Sequence, residues 1–464
     1  MNGMHTRRAF LGAASAGLGT MALANLLHAR DDGRWPGVLR KAHVPPKAKR
    51  VICLYMAGGM SHLETFDPKP KLAAMSGKPM PESFTKGQPI AQLQGAKLTC
   101  LAPQHKFTKC GKSGIEISDV FPHLQKMADE LCVIRSLKTE AINHDPAHTF
   151  MNTGTTISGR PAMGSWLWYG LGCESESLPG FVVLTSTGRY GQSQPISQRQ
   201  WQAGLLPSRF QGVHLRGKGD AVLYLRRPAG TTEKQQADVI GAVGELNGLH
   251  DKLVDDPEIR TRITQYEMAA RMQASVPDLM DLSKEPTKLL DSYGTKGGDG
   301  TFAANCLLAR RLAERGVRFI QLYHRDWDHH GGVKDGVKGS AGEVDKPAAA
   351  LLADLKARGM LKDTLVLFCT EFGRTPMAQG NGRDHHIKGY SCWLAGGGVK
   401  GGMAHGATDE LGYNAAEDVV EIHDLHATMM HLMGIDHKKL TFKFQGRDFR
   451  LTDVHGEVVK KVLA

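Results

Sequence analysis

The chain contains no uninterrupted apolar run of the length that a stable membrane span requires. Its eight cysteines, at positions 53, 100, 110, 132, 173, 306, 369 and 392, include no Cys-x-x-Cys pair, which excludes a zinc ribbon and a thioredoxin-type motif. Cys53, Cys132 and Cys369 lie within apolar runs and read as core residues, while Cys100 and Cys110 form a disulfide candidate. No internal repeat, low-complexity tract or recognised nucleic-acid-binding motif is present, so neither a second compact domain nor a nucleic-acid partner is expected.

What is present is the balance of a folded protein: 464 residues, 41% hydrophobic and 23% charged, with a mean hydropathy of −0.30. Lys and Arg number 58 against 47 Asp and Glu, and the resulting +11 suits phosphate or sulfate substrates, anionic polysaccharide or nucleic acid without selecting among them. The segment Thr6-Arg7-Arg8-Ala9-Phe10-Leu11-Gly12, followed by an Ala-, Gly-, Leu- and Met-rich stretch to residue 27, resembles a bacterial twin-arginine export signal. Cleavage after Ala22-Leu23-Ala24 or Leu27-His28-Ala29 fits; removing residues 1–29 takes away Arg7 and Arg8 and no acid, so +11 becomes +9. The expected division is a signal over 1–29, an exposed lead-in over 30–48 and one domain over 49–464. The resemblance implies the twin-arginine translocation machinery as a partner, a periplasmic or secreted location, no stable membrane span after cleavage, and cargo that folds, often around a metal, before it crosses.

Short apolar runs bounded by Gly, Pro or charge recur at 51–56, 131–137, 181–184, 317–323, 364–369 and 391–395, and read as buried parallel strands. Helical spacing appears at 122–130, 256–274, 301–315 and 344–358. The alternation predicts an α/β sandwich with a mostly parallel central sheet and helices on both faces.

In such sheets ligands bind beyond the carboxyl ends of the strands, and four acid- and histidine-rich clusters fall there. The first strand leads to Gly58-Gly59 and then His62, Glu64 and Asp67. The second leads to Asn143-His144-Asp145-Pro146-Ala147-His148, where Asp145 is expected to cap a helix beginning at Pro146. The run to residue 323 leads to Asp326, Asp328 and His330: Asp326 pairs with His330 if the segment is helical, Asp328 with His330 if it is extended. The run to residue 369 leads to Glu371, Arg374, Arg383, Asp384, His385 and His386, with the arginines able to clamp an anion or to form salt bridges.

These residues resemble the alkaline phosphatase and sulfatase superfamily, and within it an exported, sulfatase-like family labelled a domain of unknown function. Asp345 to Gly373, ending Thr370-Glu371-Phe372-Gly373, is similar to the sulfatase segment ending Ser-Asp-His-Gly, which places Glu371 where a metal-binding Asp stands. Asp424-Leu425-His426-Ala427-Thr428 resembles the sulfatase Asp-Leu-x-Pro-Thr helix, and Gly446 to Asp453 also looks like the uncharacterised family. Asp326 and His330 repeat the Asp-x-x-x-His spacing of a phosphatase metal site, Trp327 to His330 the Trp-Asp-x-His form, and His386 matches the third ligand. The resemblance implies an alkaline phosphatase/sulfatase-like three-layer sandwich and a divalent metal: zinc, manganese or calcium.

Departures from that pattern are as informative. The sulfatase nucleophile frame holds His144-Asp145-Pro146-Ala147-His148, Phe372 replaces a metal-binding His, and Gly58-Gly59 replaces paired Asp residues. Two functions fit. One is a metal-dependent hydrolase of sulfate or phosphate esters, attacking with water or with His144 itself, with His144, His148 and Arg374 as catalytic residues. Its metal ligands come from Asp328, His330, Glu371 and His386, with His62, Asp67, Asp326, Asp384 and His385 as further candidates. The other is a non-catalytic envelope protein that binds a metal or an anionic glycan.

Overall fold

Seven consecutive buried residues, Arg50–Met56, form a strand flanked on both sides by parallel neighbours, Thr364–Cys369 and Phe319–His324. The computed structural model describes residues 35–219 and 257–464, with scattered positions between 221 and 246; the proposed signal segment 1–29 lies outside the described residues. The main sheet runs Met403–His405, Leu131–Lys138, Tyr390–Ala395, Thr364–Cys369, Arg50–Met56, Phe319–His324, Phe181–Ser186 and Val213–Leu215, with Val420–Glu421 also on Leu131–Lys138. Only Tyr390–Ala395 is antiparallel to its neighbours, so the sheet is mostly parallel, as expected.

Strand alternation divides the core between the two faces. Ile52, Leu54 and Met56 pack with the helices Phe302–Glu314 and Val333–Ala357. Val51, Cys53 and Tyr55 pack with His144–Thr153, Met163–Leu171 and Ile422–Leu432. The protein is therefore a three-layer α/β sandwich.

Several elements differ from expectation. The helix expected at 344 begins at Val333; Gly336, Gly339 and Gly342 break the apolar periodicity of its first turns and mask that start in the sequence. Gly336 is there for close approach: a Cβ would lie 2.2 Å from the His329 ring. Segment 122–130 is a 3-10 helix, Leu124–Glu130, at whose start the N–H groups of His123 and Leu124 donate to Asp345 at 2.8 Å. The helix expected at Pro146 starts at His144 behind the N-cap Asn143, and Asp145 instead pairs with Arg199 at 2.5 Å. Cys100 and Cys110 are free thiols, as are the other six cysteines, so no disulfide joins them. In the lead-in, most side chains from 35 to 48 are exposed or half-buried, but the backbone is tied down: Val38 N–H donates to Tyr169 O, and Ala48 N–H to Leu432 O.

Beyond Cys369 the chain forms a hairpin, Gly373–Gln379 with Gly382–His386, separate from the main sheet. Its second strand, Gly-Arg-Asp-His-His, is wholly buried despite its charge. Together with the loops after Met56, Lys138 and His324, it closes over the carboxyl edge of the sheet.

Candidate metal centre

Asp328 and His330 lie on the loop after Phe319–His324, and His385 lies on the hairpin. Asp328 Oδ1 is 3.1 Å from His330 Nε2 and 3.6 Å from His385 Nε2, and the two Nε2 atoms are 2.9 Å apart. Ligands about 2.1 Å from a tetrahedral ion stand roughly 3.4 Å from one another, so this triangle has the size of one face of such a site.

The protons on these rings are fixed from outside. His385 Nδ1 lies 2.8 Å from Ile142 O, a pure acceptor, so Nδ1 carries the hydrogen. Burial holds the His385 pKa below its ordinary value, against the opposing pull of Asp328, so its Nε2 is a bare lone pair. Gln379 Oε1 is 2.5 Å from His330 Nδ1 while Gln379 Nε2 donates to Gln92 Oε1, which makes His330 Nδ1 a donor. Gln92 Nε2 points its own hydrogen at His330 Nε2 at 3.4 Å. The His385 Nε2 lone pair, His330 Nε2 and a carboxylate oxygen thus converge on one point, and two imidazole nitrogens with one carboxylate are a donor set that fits a divalent metal.

His144 completes the group from the first turn of its helix, with Nε2 3.3 Å from Asp328 Oδ2. Its Nδ1 lies 2.8 Å from Glu371 Oε1. Burial opposes its charge, but hydrogen bonds to Asp328 and Glu371 prevail and raise its pKa to about 9. Burial likewise opposes the Glu371 charge, but His148 and His144 prevail and lower its pKa to about 2. Glu371 also accepts from Gly58 N–H at 2.9 Å and from the Thr370 hydroxyl at 3.0 Å. Its oxygens are therefore committed behind His144 and fix the orientation of that ring. His144, His148 and Glu371 still form a compact donor group, but His148 Nδ1 is engaged by the Tyr55 hydroxyl at 2.9 Å.

Arg374 is fully buried and fully occupied. It donates to Gly58 O, to Gly59 O at 2.8 Å, to Arg383 O at 3.1 Å and to Asp328 Oδ1 at 2.5 Å. This guanidinium holds Asp328 in place and does not face a substrate. Arg383 forms a buried fork with Glu64 at 2.8 Å. Burial opposes the Asp328 charge, but the hydrogen bond from His144 and the Arg374 guanidinium hold its carboxyl far below the usual range.

The other expected ligands are placed elsewhere. Asp326 has the left-handed φ of 76° and accepts backbone N–H groups from Tyr190, Gly191 and Gln192, so of the two competing acids it is Asp328 that joins the histidines. His386 Nε2 bonds Tyr413 O at 2.5 Å and His62 Nε2 bonds Gly412 O at 3.0 Å; both brace one loop. Asp67 is taken by Lys69 at 2.9 Å and by the Thr408 hydroxyl. Asp384 accepts from the backbone of Gln92 and Leu93 at 2.7 and 3.0 Å, close enough to His330 and His385 to form a third donor group.

Sequence reading missed Tyr55, Gln92, Gln192 and Gln379, because neutral polar side chains give no chemical signal until folding brings them beside a charge. Phe372 was visible only as a replacement; its ring packs 4.9 Å from His144 and 4.6 Å from His385, fixing both rings.

Fold and site together define an α/β sandwich with a carboxylate–histidine metal-binding candidate beyond its strand ends. The chain belongs to the family described as "Protein of unknown function (DUF1501)", which matches residues 48–463. Among curated proteins, none matches it. Solved structures similar to it include the PsFucS1 sulfatase from Pseudoalteromonas sp., at 12% identity over 84% of this chain and 68% of that one, with a TM-score of 0.33. The zinc complex of the C-terminal periplasmic domain of EcEptC from Escherichia coli is similar at 7% identity, over 88% and 96%, with a TM-score of 0.34. The lipoteichoic acid synthase LtaP from Listeria monocytogenes is similar at 9% identity, over 90% and 78%, with a TM-score of 0.34.

Proposed function

We propose that this protein is an exported, metal-dependent hydrolase of sulfate or phosphate esters, with Asp328, His330 and His385 holding a divalent ion and His144 beside it. The observation that carries the reading is the convergence of two imidazole nitrogens and a carboxylate oxygen within 2.9–3.6 Å of one another. A divalent ion supplies Lewis-acid polarisation of the ester and a lowered pKa for water. Two nitrogens and one oxygen suit zinc better than manganese or calcium, which take more oxygen donors.

Within that centre Glu371 holds the Nδ1 hydrogen of His144, so Nε2 is the atom that takes or gives a proton at the substrate. Arg374 and Phe372 orient the ligands. His148 is wholly buried behind His144 and acts through Glu371. The net charge of +9 left after removal of residues 1–29 suits an anionic small-molecule or polysaccharide ester as substrate.

The twin-arginine segment supports export to the periplasm or beyond, with residues 1–29 as the signal, 30–48 as the lead-in and 49–464 as the catalytic domain. No helix among the described residues is long and apolar enough to cross a membrane. A second reading, a metal- or anionic-glycan-binding protein without catalysis, is favoured by one observation: both buried arginines near the centre are spent on protein partners.

Mass-spectrometric metal analysis of the folded protein tests the reading, together with His330→Ala and His385→Ala and a screen of aryl sulfates and phosphates. The expected result is one tightly held ion, lost in both variants, and turnover of at least one ester class. Metal without turnover selects the binding reading; protein that takes up no metal when offered zinc, manganese or calcium overturns the hydrolase reading and leaves a non-catalytic, anionic-glycan-binding protein.

A further inference from the structure

The polar stretch after Phe181–Ser186 has no role in the chemistry above, yet it is fastened to the centre by an unusual set of contacts. Asp326, buried and held at a φ of 76°, receives the N–H groups of Tyr190, of Gly191 at 3.2 Å and of Gln192 at 2.6 Å. A non-glycine residue is costly in that backbone region, and its persistence at a site is a mark of constraint. Gly188 lets the segment approach, since a Cβ there would lie 2.3 Å from Asp326 Oδ2. The segment is pinned again where Arg189 N–H donates to Glu343 Oε2 at 3.0 Å and where the Tyr190 hydroxyl donates to Asp335 O at 3.2 Å.

What this fastening delivers is the Gln192 amide. Its Oε1 accepts from Asp328 N–H at 3.0 Å, and its Nε2 donates to Asp328 O at 3.0 Å. One side chain thus grips both peptide groups of the residue that supplies the carboxylate. Asp328 is on an irregular loop whose backbone is not held by a strand ladder, and its side chain is partly exposed. A primary amide, with N–H donors and a carbonyl acceptor side by side, is a group that can make both bonds.

We propose that Gln192, set in place by Asp326, is a positioning residue that fixes the Asp328 backbone so that its carboxylate meets His330 and His385. The inference rests on the metal-centre reading. Outer groups that orient metal ligands are worth about 10- to 100-fold in affinity.

Gln192→Glu and Gln192→Met are the test, read as the zinc dissociation constant by competition with a chromogenic chelator and as the thermal midpoint of the metal-free protein. Glutamate keeps the acceptor and the size, loses the donor to Asp328 O, and adds a negative charge. By charge alone Gln192→Glu binds zinc more tightly; by loss of positioning it binds about 10- to 100-fold more weakly. The expected result is weaker zinc binding in both variants with an unchanged metal-free midpoint, and the same direction for Asp326→Asn. Wild-type affinity in the folded Gln192 variants overturns the positioning role alone, as does a loss that merely follows metal-free stability. A wild-type protein that binds no zinc, manganese or calcium overturns the centre itself, and this inference with it.

Discussion

Replacing Glu371 by glutamine tests the electrostatics of the centre without a metal. In the metal-free protein His144 titrates near 9 against an ordinary 6.5, and Glu371 near 2 against an ordinary 4.5. Each displacement corresponds to about 3 kcal/mol of preference for the charged form in the folded state. The two overlap, because part of each reflects the same 2.8 Å contact, and they are not added. His144 contributes its stabilisation fully below pH 6.5 and loses it as pH rises toward 9. Glu371 contributes above pH 4.5 and loses its share as pH falls toward 2. The pair therefore stabilises fully between pH 4.5 and 6.5, and the wild type gives up about 3 kcal/mol from this source between pH 6.5 and 9. Glu371→Gln leaves Asp328 as the remaining acid partner of His144, at 3.3 Å, so the alkaline loss falls to roughly half. Urea unfolding at pH 6 and pH 9, with chelator throughout, measures the difference in each protein. Identical losses in wild type and variant would falsify the account of His144 as a cation held by Glu371.

Two further outcomes follow from buried groups outside the centre. Glu64→Gln leaves the Arg383 guanidinium buried without its carboxylate, and calorimetry is expected to show a loss of about 3–5 kcal/mol of stability. His426 is buried with Nε2 bonded to Met151 O at 2.9 Å and Nδ1 unpartnered, and burial lowers its pKa to about 3. The unfolded chain takes up a proton there below pH 6.5 and the folded chain does not, so stability is present above 6.5 and falls with pH, by about 2 kcal/mol at pH 5. His426→Gln keeps the donor to Met151 and removes that proton, so its unfolding free energy declines less steeply from pH 6.5 to 5; equal slopes contradict the assignment.

The sheet was legible because buried parallel strands are written as short apolar runs; Thr364–Cys369 matches its expected bounds. The strand-end rule then led to His144, Asp328, His330 and Glu371. Choosing between His385 and His386 required more than alternation. The hairpin has a register shift between Arg383 and His385, and that irregularity turns His385 toward His330 and His386 toward Tyr413. Asp326 and Asp328 have equal claim from spacing, and the choice is made by one backbone angle at Asp326 that no side-chain pattern records. Glu371 occupies the expected place but works through His144, because Gly58, Thr370 and His144 use its lone pairs, and that is a tertiary property.

The fate of the missing nucleophile narrows the chemistry open to this centre. Among the described residues, two hydroxyls join the network directly, those of Thr370 and Tyr55, and both are wholly buried. Thr370 accepts from Met60 N–H at 3.1 Å and donates to Glu371, while Tyr55 is engaged with His148. Burial raises the Tyr55 pKa far above its ordinary value, and the nearby Glu371 charge adds to it, so a phenolate does not form there. Cys369 sits in the same layer, but burial and the neighbouring Cys53 push its thiol far above the thiolate range. A covalent route through oxygen or sulfur thus has no activated group to use. That leaves the His144 imidazole or water for any ester cleavage here. His144 points Nδ1 at Glu371 and Nε2 at Asp328, an orientation suited to moving a proton between acid partners rather than to holding a transferred group. For the hydrolase proposed above, direct attack by water is therefore the expected route.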